Sequence, residues 1–538
     1  MSDANPRQTP AGNAVRPLEA IGRTLLGLRA ADRPLGRGAQ AAVAAAYLAL
    51  APLAAAWLYD FWNQPLLLDN QHYFYVAERA ASGVPPHISN FDPKHHASSL
   101  LAAIGVTVGR PLGLDDVRAT RVVSLLIYGA GMAATWLAAL AMTRSPLSAH
   151  AAAAAMWSFA MFSWHASMGS QPKVYLALFM LAALWTLARG RPTWCGVFGA
   201  LAYLCWQPGV VVFGAAGLAF LIPPGRVRNV LRLAAGALLT LVVYETYFFA
   251  HGWNTVREQW FQTFVFPAEY MRHQSGGFRG LMPAGEILWR AWRASFGAST
   301  FVAIAALVLL LLSLLAMPFA PRRAVRFVRE RPVWLGWGLC TAVSVGFTYY
   351  DHQGPPDLFF MLPFLAIGLA GALAAVAAAT VRVNATFGRF VACAIGVAAF
   401  AWGVHAGLRG AQRLHRSDVN AGYDLDDQYA LSGRVAKLRK AGQTVFAVRC
   451  THLMGMAHLE NHVNYGLMFP GLQDYLTQRG TRDFDPQRAG QWPDVVLAAR
   501  LNPQSAFVQW LRRNYRVRRA PEFERQHIAF YERPGRLR

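Results

Sequence analysis

Eleven apolar segments dominate this chain, at about 40–62, 119–142, 147–166, 172–188, 193–206, 209–223, 229–250, 297–320, 333–350, 357–380 and 389–408. A helix needs roughly 20 apolar residues to cross a bilayer, and only helices or closed barrels satisfy their backbone there. The pattern therefore predicts a polytopic α-helical membrane protein of about 11 transmembrane helices. Composition agrees: 15% of the residues are charged, against about 25% in soluble proteins. The segments at 193–206 and 209–223 are short, and only Gln207-Pro208-Gly209 separates them. A tight transmembrane hairpin and a re-entrant pair fit them equally.

The formal net charge of +23 fits either a nucleic-acid binder or a membrane protein with basic cytoplasmic loops. The positions of the arginines exclude the first. With the N-terminal tail (residues 1–39) in the cytoplasm, Arg144, Arg189, Arg191, Arg226, Arg228, Arg322, Arg323, Arg326, Arg329, Arg331, Arg382 and Arg389 all fall on that side. The opposite short loops hold one cation, Lys173. Five scattered cysteines give no metal or disulfide pattern.

This orientation makes 40–408 the transmembrane domain. It puts two long loops, 63–118 and 251–296, on the outer face, together with the segment 409–538. That last segment reads as a small α/β domain. Helices are expected over Gln428–Lys440 and Phe507–Asn514, and strands over 444–448, 494–498 and 527–531. In the first loop, Tyr73–Ala81 is amphipathic and Ser98–Val108 suits a helix lying along the interface. Trp253, Trp260, Tyr270, Trp289 and Trp292 give the second loop the aromatic content of the headgroup level.

Asp69 directly follows the first apolar segment. A carboxylate fixed at a membrane face beside Tyr73 and Tyr75 can take a proton from an attacking hydroxyl. It can equally open a helix over Asn70–Ala81 as its cap, and one role does not exclude the other. Further on, Phe91-Asp92-Pro93-Lys94-His95-His96 joins carboxylate, lysine and imidazole. Asp92, His95 and His96 are ligand types for a divalent metal. Adjacent histidines on an extended backbone point to opposite sides, however, so at most one is well placed. Lys94, Arg272, Arg279, Arg290 and Arg293 are outer-loop cations suited to phosphate. Arg279 stands among Gly276, Gly277 and Gly280, where backbone can approach a ligand closely. Asp351 and His352 face the same compartment, where a substrate-binding role in an acceptor pocket and an interfacial turn before Pro355-Pro356 explain them equally well. Glu245 is a carboxylate within the seventh segment.

An apolar segment followed by Asp-x-x-x-Tyr-x-x-x-Ala-x-x-x-x-x-Gly and then by Phe-Asp-Pro-Lys-His-His resembles the first outer loop of the GT-C glycosyltransferases. That superfamily includes protein O-mannosyltransferases and the aminoarabinose transferases of lipid A. The resemblance implies Asp69 as catalytic base, a polyprenyl-phosphate-linked sugar as donor, and transfer to a glycan, lipid or protein acceptor. It further implies a bacterial inner membrane protein with its active site and C-terminal domain in the periplasm. Asp92-Pro93-Lys94 departs from the acidic-Lys-Pro-Pro order of several members, whose lysine holds the lipid phosphate. Gln171-Pro172-Lys173 stands where many members carry a second acidic residue. The competing reading is a transporter or flippase of lipid-linked sugars. Such proteins commonly have repeated halves with matching interruptions, and no such repeat is visible.

Overall fold

The computed structural model describes residues 35–67, 69–222, 226–271, 329–350, 355–416, 422–467, 472 and 492–534. Arg272, Arg279, Arg290, Arg293, Asp351, His352 and the apolar segment at 297–320 lie outside them. Each of the other ten apolar segments is helical over most of its length.

The first helix, α1 (Arg37–Leu58), is followed in the first long loop by α2 (Asp69–Ala81) and α3 (Ala97–Gly109). The bundle continues through α4 (Asp116–Thr143), α5 (Pro146–Trp157), α6 (Ala160–Met168), α7 (Pro172–Ala188), α8 (Pro192–Cys205), α9 (Val210–Phe220) and α10 (Arg226–Ala250). After α11 (Trp253–Trp260) the chain keeps a wider π-helical winding to Met271. The bundle is completed by α12 (Pro332–Tyr350), α13 (Leu362–Val383) and α14 (Ala385–Arg416). Among these, α1, α4, α10 and α14 are long and apolar enough to cross a bilayer alone, and α6 with α7 makes a fifth crossing if taken as one broken span. Several of the eleven expected crossings are thus shorter apolar helices.

The run at 147–166, expected as one segment, is instead broken at Ser158 and Phe159. The Ser158 hydroxyl donates to the Ala155 carbonyl at 2.7 Å, and Phe159 leaves the helical conformation at ψ 79°. Such local hydroxyl-to-backbone bonds compete with helix continuation. Helix α6 then meets α7 at 114° across Gly169-Ser170-Gln171, and Gly169 has φ +138°, a conformation open to glycine. Between α8 and α9, a Cβ on Gly209 would stand 2.6 Å from the Ala202 carbonyl oxygen, so the Gln207–Gly209 turn requires glycine.

The stretch read as amphipathic, Tyr73–Ala81, falls in α2, whose polar side is buried along with its apolar one. Asn70, His72 and every residue from Tyr73 to Arg79 are buried. Helix α3 of the same loop and the C-terminal domain cover it together. Helices α15 (Leu425–Lys440) and α16 (His452–Met456) pack on one side of a four-stranded sheet, and α17 (Ala506–Asn514) on the other. The strands are β1 (Val445–Val448), β2 (Val495–Ala499), β3 (Arg516–Arg518) and β4 (Ile528–Glu532), in the order β1-β2-β4-β3. β1 and β2 are parallel with Val445 opposite Val495, and β4 runs antiparallel to β2 and β3. Both faces of β1 and β2 are buried, which explains their unbroken apolar runs. A reciprocal Asp424–Asp427 capping box opens α15, a motif whose aspartate contributes about 1 kcal/mol. Gly455 of α16 lies so close to α2 that a Cβ there would stand 3.0 Å from the Phe74 ring.

Candidate active site

Asp69 is the first residue of α2, where the positive end of the helix favours its charge. It is exposed in a surface otherwise closed, since its neighbours Leu67, Asn70 and His72 are all buried. Among the described residues its carboxylate makes no hydrogen bond or ion pair. It lies within electrostatic reach of Lys94 and Tyr73 in the first loop, His165 in α6, and Arg449 in the C-terminal domain. A solvent-reached carboxylate with two cations, Lys94 and Arg449, in reach is a base with room for a substrate.

Asp92, by contrast, is fully enclosed. Its Oδ2 is 3.1 Å from His72 Nε2 and its Oδ1 accepts the Lys94 backbone N–H at 3.0 Å. Its own N–H donates to Gln262 Oε1 at 3.1 Å. Burial alone would raise the carboxyl, but the bond from His72, the neighbouring His96 imidazole and the charge of Lys94 together hold it below the usual carboxylate range. Asp92 therefore acts as the anchor of a turn that presents Lys94. The Gln207 side-chain amide adds a bond to the Pro93 carbonyl at 2.6 Å. Lys94 Nζ donates to the Tyr73 hydroxyl at 3.0 Å. Burial disfavours its charge, yet Tyr73, Asp92 and Asp69 outweigh that and keep it protonated.

The metal set Asp92, His95 and His96 does not assemble. His96 Nε2 lies 4.0 Å from Asp92 Oδ2, but His95 turns the other way, into a cage of Tyr203, Tyr244 and Phe264 with ring centroids 4.7–5.8 Å away. The opposite directions of neighbouring side chains account for this. The third residue beside Asp92 is His72, which the sequence reading did not select. His87 stands edge-on to His96 at 4.8 Å. Burial lowers His87 and His95 to about 3 and His96 to about 4, so all three are neutral imidazoles near pH 7. Among the described residues, the ligand atoms that do converge are those of Glu78, Asp116 and His458. There the Arg110 guanidinium already binds Glu78 at 3.2 Å and Asp116 at 2.8 Å.

The short connection between α6 and α7 leads into a cation whose carboxylate partner comes from elsewhere. Lys173 forms a buried ion pair with Asp357 and lies 4.5 Å above the Trp206 ring. Asp357, Gln262 and Arg449 are contributors that sequence reading missed, because each reaches the site from a distant part of the chain. Glu245, expected to be functional, accepts a hydrogen bond from Gln259 at 2.9 Å and so ties α10 to α11.

One end of a bundle of apolar helices thus carries a folded first loop, with an aspartate opening that loop's helix and a small α/β domain packed on it. Two solved structures share this fold. ArnT from Cupriavidus metallidurans bound to undecaprenyl phosphate superposes with a TM-score of 0.58 at 15% identity, covering 91% of this chain and 98% of that one. The apo form of the same protein gives 0.57 with the same identity and coverage. No family model matches the sequence, nor does any curated protein. The likeness first seen in the loop motif is therefore met as a likeness of fold.

Proposed function

We propose that this protein is an inverting glycosyltransferase that moves a sugar from a polyprenyl-phosphate donor to an acceptor hydroxyl. The observation that carries the reading is the exposed, unpaired Asp69 beside Lys94, in the fold of a protein solved with undecaprenyl phosphate bound. The acceptor oxygen attacks the anomeric carbon from the face opposite the phosphate. As the new C–O bond forms, the bond to the phosphate oxygen breaks, and its electron pair leaves with polyprenyl phosphate. The acceptor's proton passes to Asp69. Lys94 stabilises the departing phosphate, so no separate acid is needed. In this reading the chain crosses a bacterial inner membrane eleven times, and the site opens to the periplasm.

Proteoliposomes carrying the purified protein and radiolabelled undecaprenyl-phosphate sugars (hexose, pentose and aminopentose) test this. The wild type should discharge label to an acceptor, and Asp69→Asn should slow transfer by about 10²–10⁴-fold with folding unchanged. Near-normal transfer by Asp69→Asn removes the base assignment. Label that crosses the bilayer still joined to its lipid favours a flippase instead.

A further inference from the structure

The C-terminal domain places an arginine at the one open carboxylate of the loop beneath it. Arg449 is the first residue after β1, and Arg500 the first after the parallel neighbour β2. The carboxyl ends of adjacent parallel strands form the crevice where α/β sheets commonly receive ligands. Both arginines hold left-handed backbone, with φ +56° and +49°, which costs a non-glycine residue roughly 1 kcal/mol. The surroundings fix that conformation at Arg449. Its N–H donates to the Gly466 carbonyl at 2.7 Å, and two residues away the Asn464 carbonyl accepts the Phe91 N–H at 2.7 Å. The segment that seats Arg449 is thereby tied to the residue preceding Asp92. Gly466 itself is packed against Thr451 and Asn90, and a Cβ there would approach Thr451 to 2.4 Å.

The guanidinium is held but not neutralised. Nε donates to the Leu467 carbonyl at 3.3 Å and Nη1 to the Arg500 carbonyl at 3.4 Å. Among the described residues it pairs with no carboxylate and its Nη2 has no partner. The side chain is exposed, yet protein packing disfavours its charge while Asp69 favours it. Asp69 is likewise exposed and lies within electrostatic reach of both Arg449 and Lys94.

We propose that Arg449 is an oxyanion-binding residue contributed by the C-terminal domain, which holds a phosphate group near Asp69. This rests on the glycosyl-transfer reading above and adds that the site is incomplete without the C-terminal domain. The planar guanidinium, with Nη2 unused and Nε and Nη1 only weakly engaged, can present a two-pronged donor to a phosphate. That phosphate belongs either to the lipid donor or to the acceptor.

Binding separates these sources and needs no turnover. Undecaprenyl phosphate in detergent, and inorganic phosphate added to the lipid-saturated protein, would be titrated into wild type, Arg449→Asn, Arg449→Lys and Asp69→Asn. Asparagine tolerates the left-handed backbone, and thermal midpoints check the fold. Weakening of undecaprenyl phosphate by about 10-fold or more in Arg449→Asn, with partial recovery in Arg449→Lys, assigns the residue to the donor. Unchanged lipid binding with loss of inorganic phosphate binding assigns it to the acceptor. Wild-type affinity for both probes in a folded Arg449→Asn overturns the proposal. Asp69→Asn should retain binding. If it also retains transfer, the base assignment fails while the place of Arg449 is still decided by the titrations.

Discussion

Gln428 pairs with Leu66 as one strand residue pairs with another. Its Oε1 accepts the Leu66 N–H at 2.8 Å and its Nε2 donates to the Leu66 carbonyl at 3.0 Å. The two residues are 362 positions apart. The pair joins the C-terminal domain to the approach to Asp69, and His452 Nε2 lies 3.2 Å from the same amide nitrogen. Gln428→Ala would strand the buried Leu66 N–H, at a cost of about 1–3 kcal/mol, while the Leu66 carbonyl keeps its bond from Gln71 Nε2 at 2.8 Å. We expect a lowered thermal midpoint. Gln428→Glu should be poorer than wild type as well, because a carboxylate cannot donate to the Leu66 carbonyl.

Lys94 hydrogen-bonds Tyr73 and takes its backbone position from Asp92, so its charge and its placement can be varied separately. Lys94→Met removes the charge while leaving the Asp92 turn in place. Transfer should fall by about 10–100-fold, through weaker lipid-phosphate binding, with little change in stability. Asp92→Asn keeps Lys94 but loses the anionic partner of His72, so it should lower stability first. Measured side by side, thermal midpoint and undecaprenyl phosphate affinity should move in opposite proportions in the two variants.

The contrast between Asp69 and Asp92 shows what could be read from sequence. The helix beginning at Asp69 and the two main α/β strands were legible, because periodicity and apolar runs are local properties. The burial of α2 was not legible, since its polar face meets partners such as Asn461, whose N–H donates to Tyr75 Oη from 386 residues away. Strand β3 has three residues, all exposed, and leaves no apolar alternation to detect. The pairing of Asp92 with His72 instead of His95 is a matter of backbone direction in a turn, which adjacent letters do not encode. Arg449 offers no motif either; only the fold brings it towards Asp69.

Lys173 and Asp357 form their ion pair out of water, 184 residues apart in sequence. Removing one member leaves the other charge buried, at a cost of about 3–5 kcal/mol. Lys173→Met alone and Asp357→Leu alone should each lower the thermal midpoint and the yield of folded protein. The double variant should recover much of the loss, since apolar pairs commonly replace buried ion pairs at little cost. If it recovers stability but not transfer, the pair has a role in the site beyond holding α7 near the Asp357 turn.

His95 gives a test through pH. Both of its ring nitrogens are buried without a hydrogen-bond partner among the described residues, inside the cage of Tyr203, Tyr244 and Phe264. Burial depresses its pKa to about 3, from an ordinary value of 6.5. The unfolded chain thus binds a proton that the folded chain refuses, so stability rises with pH across that interval. The contribution is fully present above about pH 6.5 and is lost progressively as pH falls towards 3. His87 and His96 act in the same direction, with folded values of about 3 and 4. His95→Phe keeps an aromatic ring in the cage and removes one titrating group. It should raise the thermal midpoint and flatten its decline between pH 6.5 and 4, leaving the slope due to His87 and His96. A decline as steep as that of the wild type would mean that His95 is already protonated or solvated in its cage.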